Sequence, residues 1–365
     1  MTETHPIFKP AKRSHRESGF DQEEVRLANR NSGILLEALR YDVTPVGMHY
    51  LLTHFDVPYV ASEADWRLQI AGHVDRPITL SLNELKKAPL RTIGVTMECA
   101  GNGRTLIKPR WQSQPWSYEA VSTAEWTGTP LGPILRSAGV REGALEAAFF
   151  GVDRGFDGGE EHTFGRSLSL DHALSDEVML AWEVNGQPLP PQHGFPLRLI
   201  VPGWYGMASV KWLNRIEVLT EPFLGFQQVR TYIYRQDASD PGTPASTIRV
   251  RSLMVPPGIP DYYSRQRLVE RGTVELFGRA WSGGGAAIER VDIGIGGEWN
   301  AAELDPAPSP HAWSSWRYKW QAEPGEHELS CRATTASGEA QPLEPRWDRS
   351  GFGNNCVQRI AVTVR

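Results

Sequence analysis

The sequence predicts an α+β domain followed by a β-sandwich of immunoglobulin type. Between about residue 50 and residue 235, short β-rich runs alternate with helical stretches, and Pro or Gly marks nearly every junction. Residues 234–249 are rich in Asp, Ser, Pro, Gly and Thr, which is typical of a domain linker. Beyond this linker the runs are strand-like, are separated by turns and have no helical periodicity, which favours a sandwich.

In the first part, the patterns predict strands at 67–74, 92–99, 147–152, 197–201 and 210–218. Helical periodicity predicts helices at 82–87 and 131–138. After the linker, strands are expected at 273–281, 288–295, 327–334 and 356–364. We therefore divide the chain into a polar N-terminal arm over residues 1–40, a first domain over 41–240 and a sandwich over 241–365.

The composition is that of an ordinary soluble globular protein, with 40% hydrophobic and 22% charged residues in 365. A net charge of −5 argues against nucleic acid or an anionic membrane as the main partner. An anionic ligand would therefore need a local basic pocket. The three Cys residues form no CxxC pair, which excludes zinc-ribbon and thioredoxin-like sites.

The N-terminus is polar and contains no apolar core of a secretory signal. This predicts a cytoplasmic location, or a periplasmic one if a leader has been removed. No stretch approaches the roughly 20 apolar residues that a membrane-spanning helix needs.

Cys99 stands at the end of an apolar strand and is followed by a Gly-containing turn and Arg104. A thiolate is a soft ligand suited to a transition metal, and metal binding would keep it deprotonated. Taken alone, however, a single Cys before such a turn is also typical of a structural residue.

A second segment contains cationic or hydrogen-bond-donating side chains within Gly- and Pro-rich loops. His193, Arg198 and Lys211 lie within 19 positions, interrupted by the Pro-Gly pair at 202–203. Arg offers forked hydrogen bonds and Lys a point charge, so the set suits a phosphate-bearing ligand. The alternative is that Arg198 and Lys211 occupy solvent-facing strand positions.

Several motifs together resemble the sulfite oxidase family in order and spacing. They are Cys-Ala-Gly-Asn at 99–102, Asn-Gly-Gln-Pro-Leu-Pro from residue 185 with His-Gly-Phe-Pro-x-Arg, and Val-Lys-Trp-Leu at 210–213. Ala-Trp-Ser-Gly-Gly-Gly at 280–285, with Val-Asp at 291–292, is similar to that family's dimerisation domain. The resemblance runs from about residue 45 to residue 365. It implies a sulfite-oxidase-type molybdopterin-binding catalytic domain before the immunoglobulin-like dimerisation domain.

The resemblance implies a molybdenum centre held by one pyranopterin dithiolene and by the thiolate of Cys99. The positions that would contact the pterin or its phosphate are His54, Asp153, His193, Arg198, Ser209 and Lys211. Tyr232 falls where the family places its active-site tyrosine, and Arg104 and Trp116 match residues of the substrate pocket. The resemblance also implies a homodimer. We recognise no haem-binding module and expect electrons to pass to a separate acceptor, a cytochrome for example.

The family default is two-electron oxidation of sulfite to sulfate by oxygen-atom transfer, but two pocket positions differ. Leu52 stands two residues before His54, where sulfite oxidases carry an arginine, and Ser350 replaces a second arginine. Arg349 is adjacent, although side chains one residue apart on an extended segment point in opposite directions. The alternatives are the same cofactor with a different substrate, a sulfoxide-type reductase, or a metal-free binding protein.

Two weaker features have structural alternatives. His162 and His172 lie near acidic residues, but their spacing matches no known metal site and favours loop and helix-start roles. Cys331 and Cys356 are interpreted as small buried residues of the sandwich, with a disulfide between them as the alternative.

Overall fold

The computed structural model describes residues 14–16 and 19–365. Residues 1–13 and 17–18 of the predicted N-terminal arm lie outside the described part. No helix of the described residues is both long and apolar enough to cross a membrane. The α-helices there are α1 (Gln22–Arg30), α2 (Leu82–Leu85), α3 (Leu131–Ser137), α4 (Leu170–Ala173) and α5 (Phe226–Val229).

The first domain is built mainly from β-strands. They are β1 (His15–Arg16), β2 (Arg67–Gly72), β3 (Ile78–Ser81), β4 (Arg91–Glu98), β5 (Arg110–Trp111), β6 (Val121–Pro130), β7 (Glu146–Asp157), β8 (Glu160–Ser169), β9 (Met179–Val184), β10 (Gln187–Pro188), β11 (Arg198–Ile200), β12 (Leu213–Leu219), β13 (Ile233–Tyr234) and β14 (Thr243–Pro244). One five-stranded sheet has the order β10-β9-β6-β4, with β11 also pairing with β9. The other has the order β3-β2-β12-β7-β8 and is mixed, because β12 runs parallel to β2 and antiparallel to β7.

The C-terminal domain is a two-sheet sandwich. Its strands are β15 (Arg251–Met254), β16 (Ile259–Pro260), β17 (Arg267–Val269), β18 (Gly272–Trp281), β19 (Ile288–Ile295), β20 (Glu298–Ala301), β21 (Glu303–Leu304), β22 (Ser314–Ala322), β23 (Gly325–Thr335) and β24 (Gln358–Val364). A four-stranded sheet in the order β15-β18-β22-β21 packs on a six-stranded sheet in the order β16-β17-β24-β23-β19-β20. Both sheets contribute inward side chains to one apolar core, as a sandwich requires.

Each strand predicted from the sequence has a counterpart, but some strands were missed. The clearest case is β6, which is buried at eight of its ten positions. A strand covered on both faces lacks the alternation of polar and apolar residues that identifies half-exposed strands. The predicted strand at 210–218 begins only at Leu213, because Trp212 adopts a left-handed backbone with φ of +49°.

The described part of the N-terminal segment packs on the first domain. Helix α1 begins with a capping box, in which Asp21 accepts from the Glu24 backbone N–H and Glu24 accepts from that of Asp21. The buried Glu24 carboxylate also forms an ion pair with buried Arg110, the first residue of β5. Strand β1 pairs with β5, so two separate contacts hold the N-terminal segment against this strand.

Glu98, the last residue of β4, connects the two domains. Its carboxylate is buried and lies 2.8 Å from Nε of Arg251, the first residue of β15. It also accepts a hydrogen bond of 2.9 Å from the indole N–H of Trp281, the last residue of β18. Burial raises the pKa of Glu98, and the Arg251 charge opposes that rise. The sandwich therefore supplies two partners of this carboxylate, and Asn102 of the first domain donates to it at 3.0 Å.

We expect Arg251→Met to lower the free energy of unfolding by about 3–5 kcal/mol, because it leaves Glu98 buried without a counter-charge. Urea denaturation at pH 7 measures the loss. Arg317→Met is the matched control: it breaks the exposed ion pair of Arg317 with Asp305 and is expected to cost less than about 1 kcal/mol. Equal losses in the two variants would contradict the prediction.

Candidate active site

A cavity lies in the first domain. Its wall contains all but two of the site residues predicted from the sequence. Those in the wall are His54, Cys99, Asp153, His193, Arg198, Ser209, Lys211 and Tyr232. Residues that are distant in the sequence are thus gathered around one space.

Cys99 is held where β4 gives way to a tight turn. Its backbone N–H donates to the Ala120 carbonyl at 2.9 Å, and its own carbonyl accepts from the Asn102 N–H at 2.9 Å. The turn requires glycine at residue 103, where φ is +87° and an added Cβ would lie 3.0 Å from the Asn354 side chain. The glycine-containing turn expected after Cys99 is therefore present and packs closely on the C-terminal domain.

The two predicted pocket residues outside the cavity wall, Arg104 and Trp116, lie beside Cys99. Burial raises the pKa of the Cys99 thiol, and the positive charge of Arg104 is the largest effect that opposes this rise. The Trp116 side chain also acts to lower that pKa. Both residues therefore favour the thiolate form at a site where burial alone disfavours it.

Arg104 is fixed by backbone groups on both sides. Its Nε donates to the Ser350 carbonyl at 3.0 Å, and Nη1 donates to the Gln114 carbonyl at 2.9 Å. Its guanidinium also lies 5.1 Å from the centre of the Phe352 ring. The C-terminal domain thus helps to position this cation beside the cysteine.

Arg198 is fully surrounded by protein at the cationic end of the cavity. It donates to the carbonyls of His193 at 2.9 Å and Ser209 at 3.1 Å, and its guanidinium lies 4.6 Å from the Trp126 ring centre. Its buried Nε has no hydrogen-bond partner. Burial lowers the pKa of Arg198 to about 10. The solvent-facing alternative for Arg198 is therefore wrong.

Lys211 lies on the segment that leads into β12. Its Nζ donates to the carbonyls of Leu52 and Gln192, both at 3.0 Å. Burial lowers the pKa of Lys211 to about 7, and the nearby Arg198 charge lowers it further. Among the described residues, neither Lys211 nor Arg198 has a carboxylate within ion-pair distance, and the nearby Asp153 carboxylate raises the pKa of Lys211 only in part. An anionic ligand in the cavity would favour the charged form of Lys211.

Asp153 faces the same cavity from an irregular stretch of β7. The register between β7 and β8 shifts between Phe150 and Arg154, and such bulges re-aim side chains near functional sites. One carboxylate oxygen, Oδ1, is buried without a hydrogen-bond partner. Burial raises the pKa of Asp153 to about 6, and Lys211 opposes this rise.

Two buried histidines line the wall next to Arg198. His193 is the last residue of the short 3-10 turn Pro191–His193, which is followed by Gly194 with φ of +108°. His49 packs edge-on against it, with 5.2 Å between ring centres. Burial lowers the pKa of His193 to about 2 and that of His49 to about 4, so both imidazoles are neutral at pH 7.

Tyr232 and His54 form a hydrogen-bonded pair in the wall. The Tyr232 hydroxyl lies 2.6 Å from Nε2 of His54. Burial raises the pKa of Tyr232 far above its ordinary value, so the hydroxyl keeps its proton. Because Tyr232 is buried and His54 is exposed, the pair links the cavity to solvent.

The altered sulfite-pocket positions have distinct surroundings. Leu52 is part of the cavity wall, as an apolar side chain where the family resemblance expects a cation. Ser350 presents its carbonyl to Arg104. Arg349 does not line the cavity; its guanidinium lies 5.4 Å from the centre of the Trp111 ring.

Several wall residues were not predicted from the sequence, among them His49, Tyr50, Phe164 and Met207. His49 and Tyr50 precede His54 by five and four positions, so their place beside a predicted site residue was the available signal. Phe164 packs on His54 with 4.8 Å between ring centres, but it comes from the unpredicted strand β8.

The weaker candidates have structural roles. His162 lies in β8 rather than in a loop; it stacks on Phe226 with 4.2 Å between ring centres. His172 lies in α4 and stacks on Trp204. Among the described residues, no group of three or more His, Cys, Asp or Glu side chains could hold a metal ion. Cys331 and Cys356 are buried free thiols, so the disulfide alternative is wrong.

We expect the neutral His49 to make stability depend on pH. The unfolded chain binds a proton at His49 near pH 6.5, whereas the folded chain binds it only near pH 4. Stability from this group is therefore lost as the pH falls from about 6.5 to about 4. Between pH 8 and pH 5, His49→Phe should lose about 2 kcal/mol less free energy of unfolding than the wild type. Parallel losses in urea denaturation would contradict this.

Family models match both halves of the chain. The "oxidoreductase molybdopterin binding domain" matches residues 54–227, and the "Mo-co oxidoreductase dimerisation domain" matches residues 246–365. The first match contains every predicted site residue except Tyr232, which lies between the two matched regions.

Curated relatives extend the similarity over most of the chain. Mitochondrial sulfite oxidase of Mus musculus is 34% identical over 341 residues, which are 88% of this chain and 62% of that protein. The Homo sapiens sulfite oxidase is 34% identical over 342 residues, with the same coverage. The NADH nitrate reductase of Solanum lycopersicum is 31% identical over 353 residues, which are 88% of this chain and 38% of that protein. The chain thus spans less than two thirds of the length of these relatives.

The fold also matches a solved structure. The sulfane dehydrogenase SoxCD of Paracoccus pantotrophus superimposes with a TM-score of 0.78 at 24% identity, covering 100% of this chain and 94% of that one. That likeness shows a shared fold. With both domain families matched in order and relatives similar over most of its length, the chain belongs to the sulfite oxidase family of molybdopterin-binding oxidoreductases.

Proposed function

We propose that the chain is a molybdenum-dependent oxidoreductase that transfers an oxygen atom at a small sulfur substrate. One observation carries this proposal: a single cavity joins the thiol of Cys99 to the side chains of Arg198 and Lys211, neither of which has a carboxylate within ion-pair distance among the described residues. A metal-free binding protein would gain nothing from leaving two such cations unpaired around a buried thiol.

The side chains present fit the molybdenum cofactor. Arg198 and Lys211 would hold its phosphate, because buried cations need an anion and Arg recognises phosphate through paired N–H groups. Asp153, with an unpartnered Oδ1, would accept from donor groups of the pterin. Cys99 would bind the metal as a thiolate. When bound, the cofactor supplies the two-electron redox chemistry, and the protein supplies position and charge.

In this proposal the chain's own residues orient the substrate and move a proton. Tyr232 keeps its hydroxyl proton and can donate it as a hydrogen bond to a substrate oxygen in the cavity. His54, 2.6 Å away and exposed, exchanges protons between that hydroxyl and solvent. Arg104 adds a fixed positive charge beside Cys99.

The substrate is proposed as sulfite by family default, with a sulfoxide-type compound as the second candidate. The second is favoured by Leu52, which makes the wall apolar where a cation would bind an anionic substrate. Arg349 stacks on Trp111 and does not compensate for Ser350. The absence of these cations weakens transition-state stabilisation less for an uncharged substrate than for a dianion.

We also propose that the C-terminal domain forms a homodimer and that a separate protein, a cytochrome for example, accepts the electrons. The matched dimerisation family supports the dimer. The absence of bound haem and the cytoplasmic or periplasmic location stay predictions from the sequence.

Cys99→Ser should hold less molybdenum than the wild type, because a neutral hydroxyl replaces the soft thiolate and leaves only the dithiolene sulfurs as soft ligands. Elemental analysis after expression in a cofactor-competent host measures metal per chain. Cys331→Ala removes a buried thiol of the sandwich instead and should retain the metal. A wild-type chain without molybdenum would overturn the proposed function.

Leu52→Arg should raise kcat/KM for sulfite by about 10²–10³-fold, since one preorganised donor contributes about that much at an oxyanion site. Steady-state oxidation with an artificial electron acceptor measures the gain. Leu52→Met keeps the apolar wall and should leave the rate unchanged. A Leu52→Arg variant that carries full molybdenum but gains no sulfite activity would contradict the proposal that Leu52 weakens sulfite binding. Reduction of a small sulfoxide by the wild type with a reduced dye would favour the sulfoxide-type substrate.

A further inference from the structure

His49 is buried in the cavity wall and is part of neither the predicted site nor the roles described above. Its Nδ1 lies 3.0 Å from the Tyr50 carbonyl oxygen. A carbonyl can only accept, so Nδ1 carries the proton of the neutral ring. Nε2 therefore bears a lone pair, and it is a hydrogen-bond acceptor.

That acceptor has no partner. Nε2 of His49 is buried without a hydrogen bond in the structure. The ring is fixed by its neighbours, because the His193 and Trp126 rings pack against it at centre distances of 5.2 and 5.8 Å. A buried acceptor left unpaired costs free energy, so an orphan of this kind in a binding cavity points to a donor on the ligand.

The surrounding charges indicate which part of a ligand lies there. Arg198 and Lys211 both act on His49 as nearby positive charges. They would attract a phosphate, but the Nε2 lone pair repels phosphate oxygens. A single ligand can satisfy both if its anionic group meets the cations and an N–H group meets His49. A pterin heterocycle with a phosphate arm has both kinds of group.

We propose that His49 is a cofactor-binding residue whose Nε2 accepts a hydrogen bond from an N–H group of the pterin. The inference rests on the proposed function and adds a residue to it. The hydrogen bond both satisfies a buried acceptor and selects the orientation of the heterocycle, since only its donor edge can face His49.

The test compares the loss of pterin and metal from loaded protein. In His49→Phe the ring shape is kept and the acceptor is removed, so pterin should leave about tenfold faster than from the wild type. His49→Gln keeps an acceptor oxygen and should stay within about twofold. Pterin fluorescence after denaturation and molybdenum per chain are followed during dialysis at pH 8.

His172→Phe is the matched control. His172 also has a buried Nε2 without a partner and stacks on an aromatic ring, but it does not line the cavity. This variant should release pterin at the wild-type rate. A faster release equal to that of His49→Phe would overturn the proposal.

A second measurement separates binding from a structural role. In cofactor-free protein at pH 8, His49→Phe should melt close to the wild-type temperature, because the substitution removes an unsatisfied buried acceptor together with the hydrogen bond that Nδ1 donates to the Tyr50 carbonyl. In loaded protein the same variant should melt below the wild type. Equal destabilisation of both forms would show a structural role and overturn the inference.

The outcomes distinguish this inference from the function on which it rests. If the wild type carries molybdenum and pterin but His49→Phe retains them equally well, only the role of His49 is wrong. If the wild type carries neither after expression in a competent host, both proposals are wrong.

Discussion

The buried carboxylate of Glu98 is the contact on which the arrangement of this protein depends. It immediately precedes Cys99, and two of its partners, Arg251 and Trp281, belong to the other domain, while Asn102 of the cysteine turn donates to it at 3.0 Å. A buried carboxylate is tolerated when it has both an ion-pair partner and hydrogen bonds. Loss of either interaction would leave the Glu98 charge less compensated. The sandwich is therefore a structural support of the cysteine turn as well as the matched dimerisation domain. Its Ser350 carbonyl extends that support to Arg104.

The basic side chains of the cavity are only partly compensated, by the nearby Asp153 carboxylate. Arg198 and Lys211 are held by backbone carbonyls and by the Trp126 and Trp212 rings, which orient the cations without neutralising them. Folding already orders these two side chains, so an anionic ligand binds to preformed donors without further loss of side-chain entropy. In the same way, Nε2 of His49 is a fixed acceptor without a partner in the structure, which a donor group of a ligand could satisfy.

The side-chain amide of Asn31 connects the N-terminal segment to two loops near the site. The Asn31 side chain donates to the Gln114 side chain at 3.0 Å and accepts from the Thr53 backbone N–H at 2.8 Å. Thr53 lies between Leu52 and His54, and the Gln114 carbonyl accepts from Arg104. Asn31, which follows α1, therefore connects the loop of Leu52 and His54 with the loop that holds Arg104, which the polar composition of the segment did not indicate.

The order of the domains, nine of the described strands and about half of the cavity wall could be predicted from the sequence, because the motifs around Cys99, His193 and Lys211 are local and keep their spacing. Strand β6 was not predicted because burial on both faces removes the alternation by which strands are recognised. The burial of Arg198, the pairing of Glu98 with Arg251 and the position of His49 in the cavity wall follow only from the folded structure. These properties depend on which distant segments pack around a side chain, and no pattern of neighbouring residues contains that information.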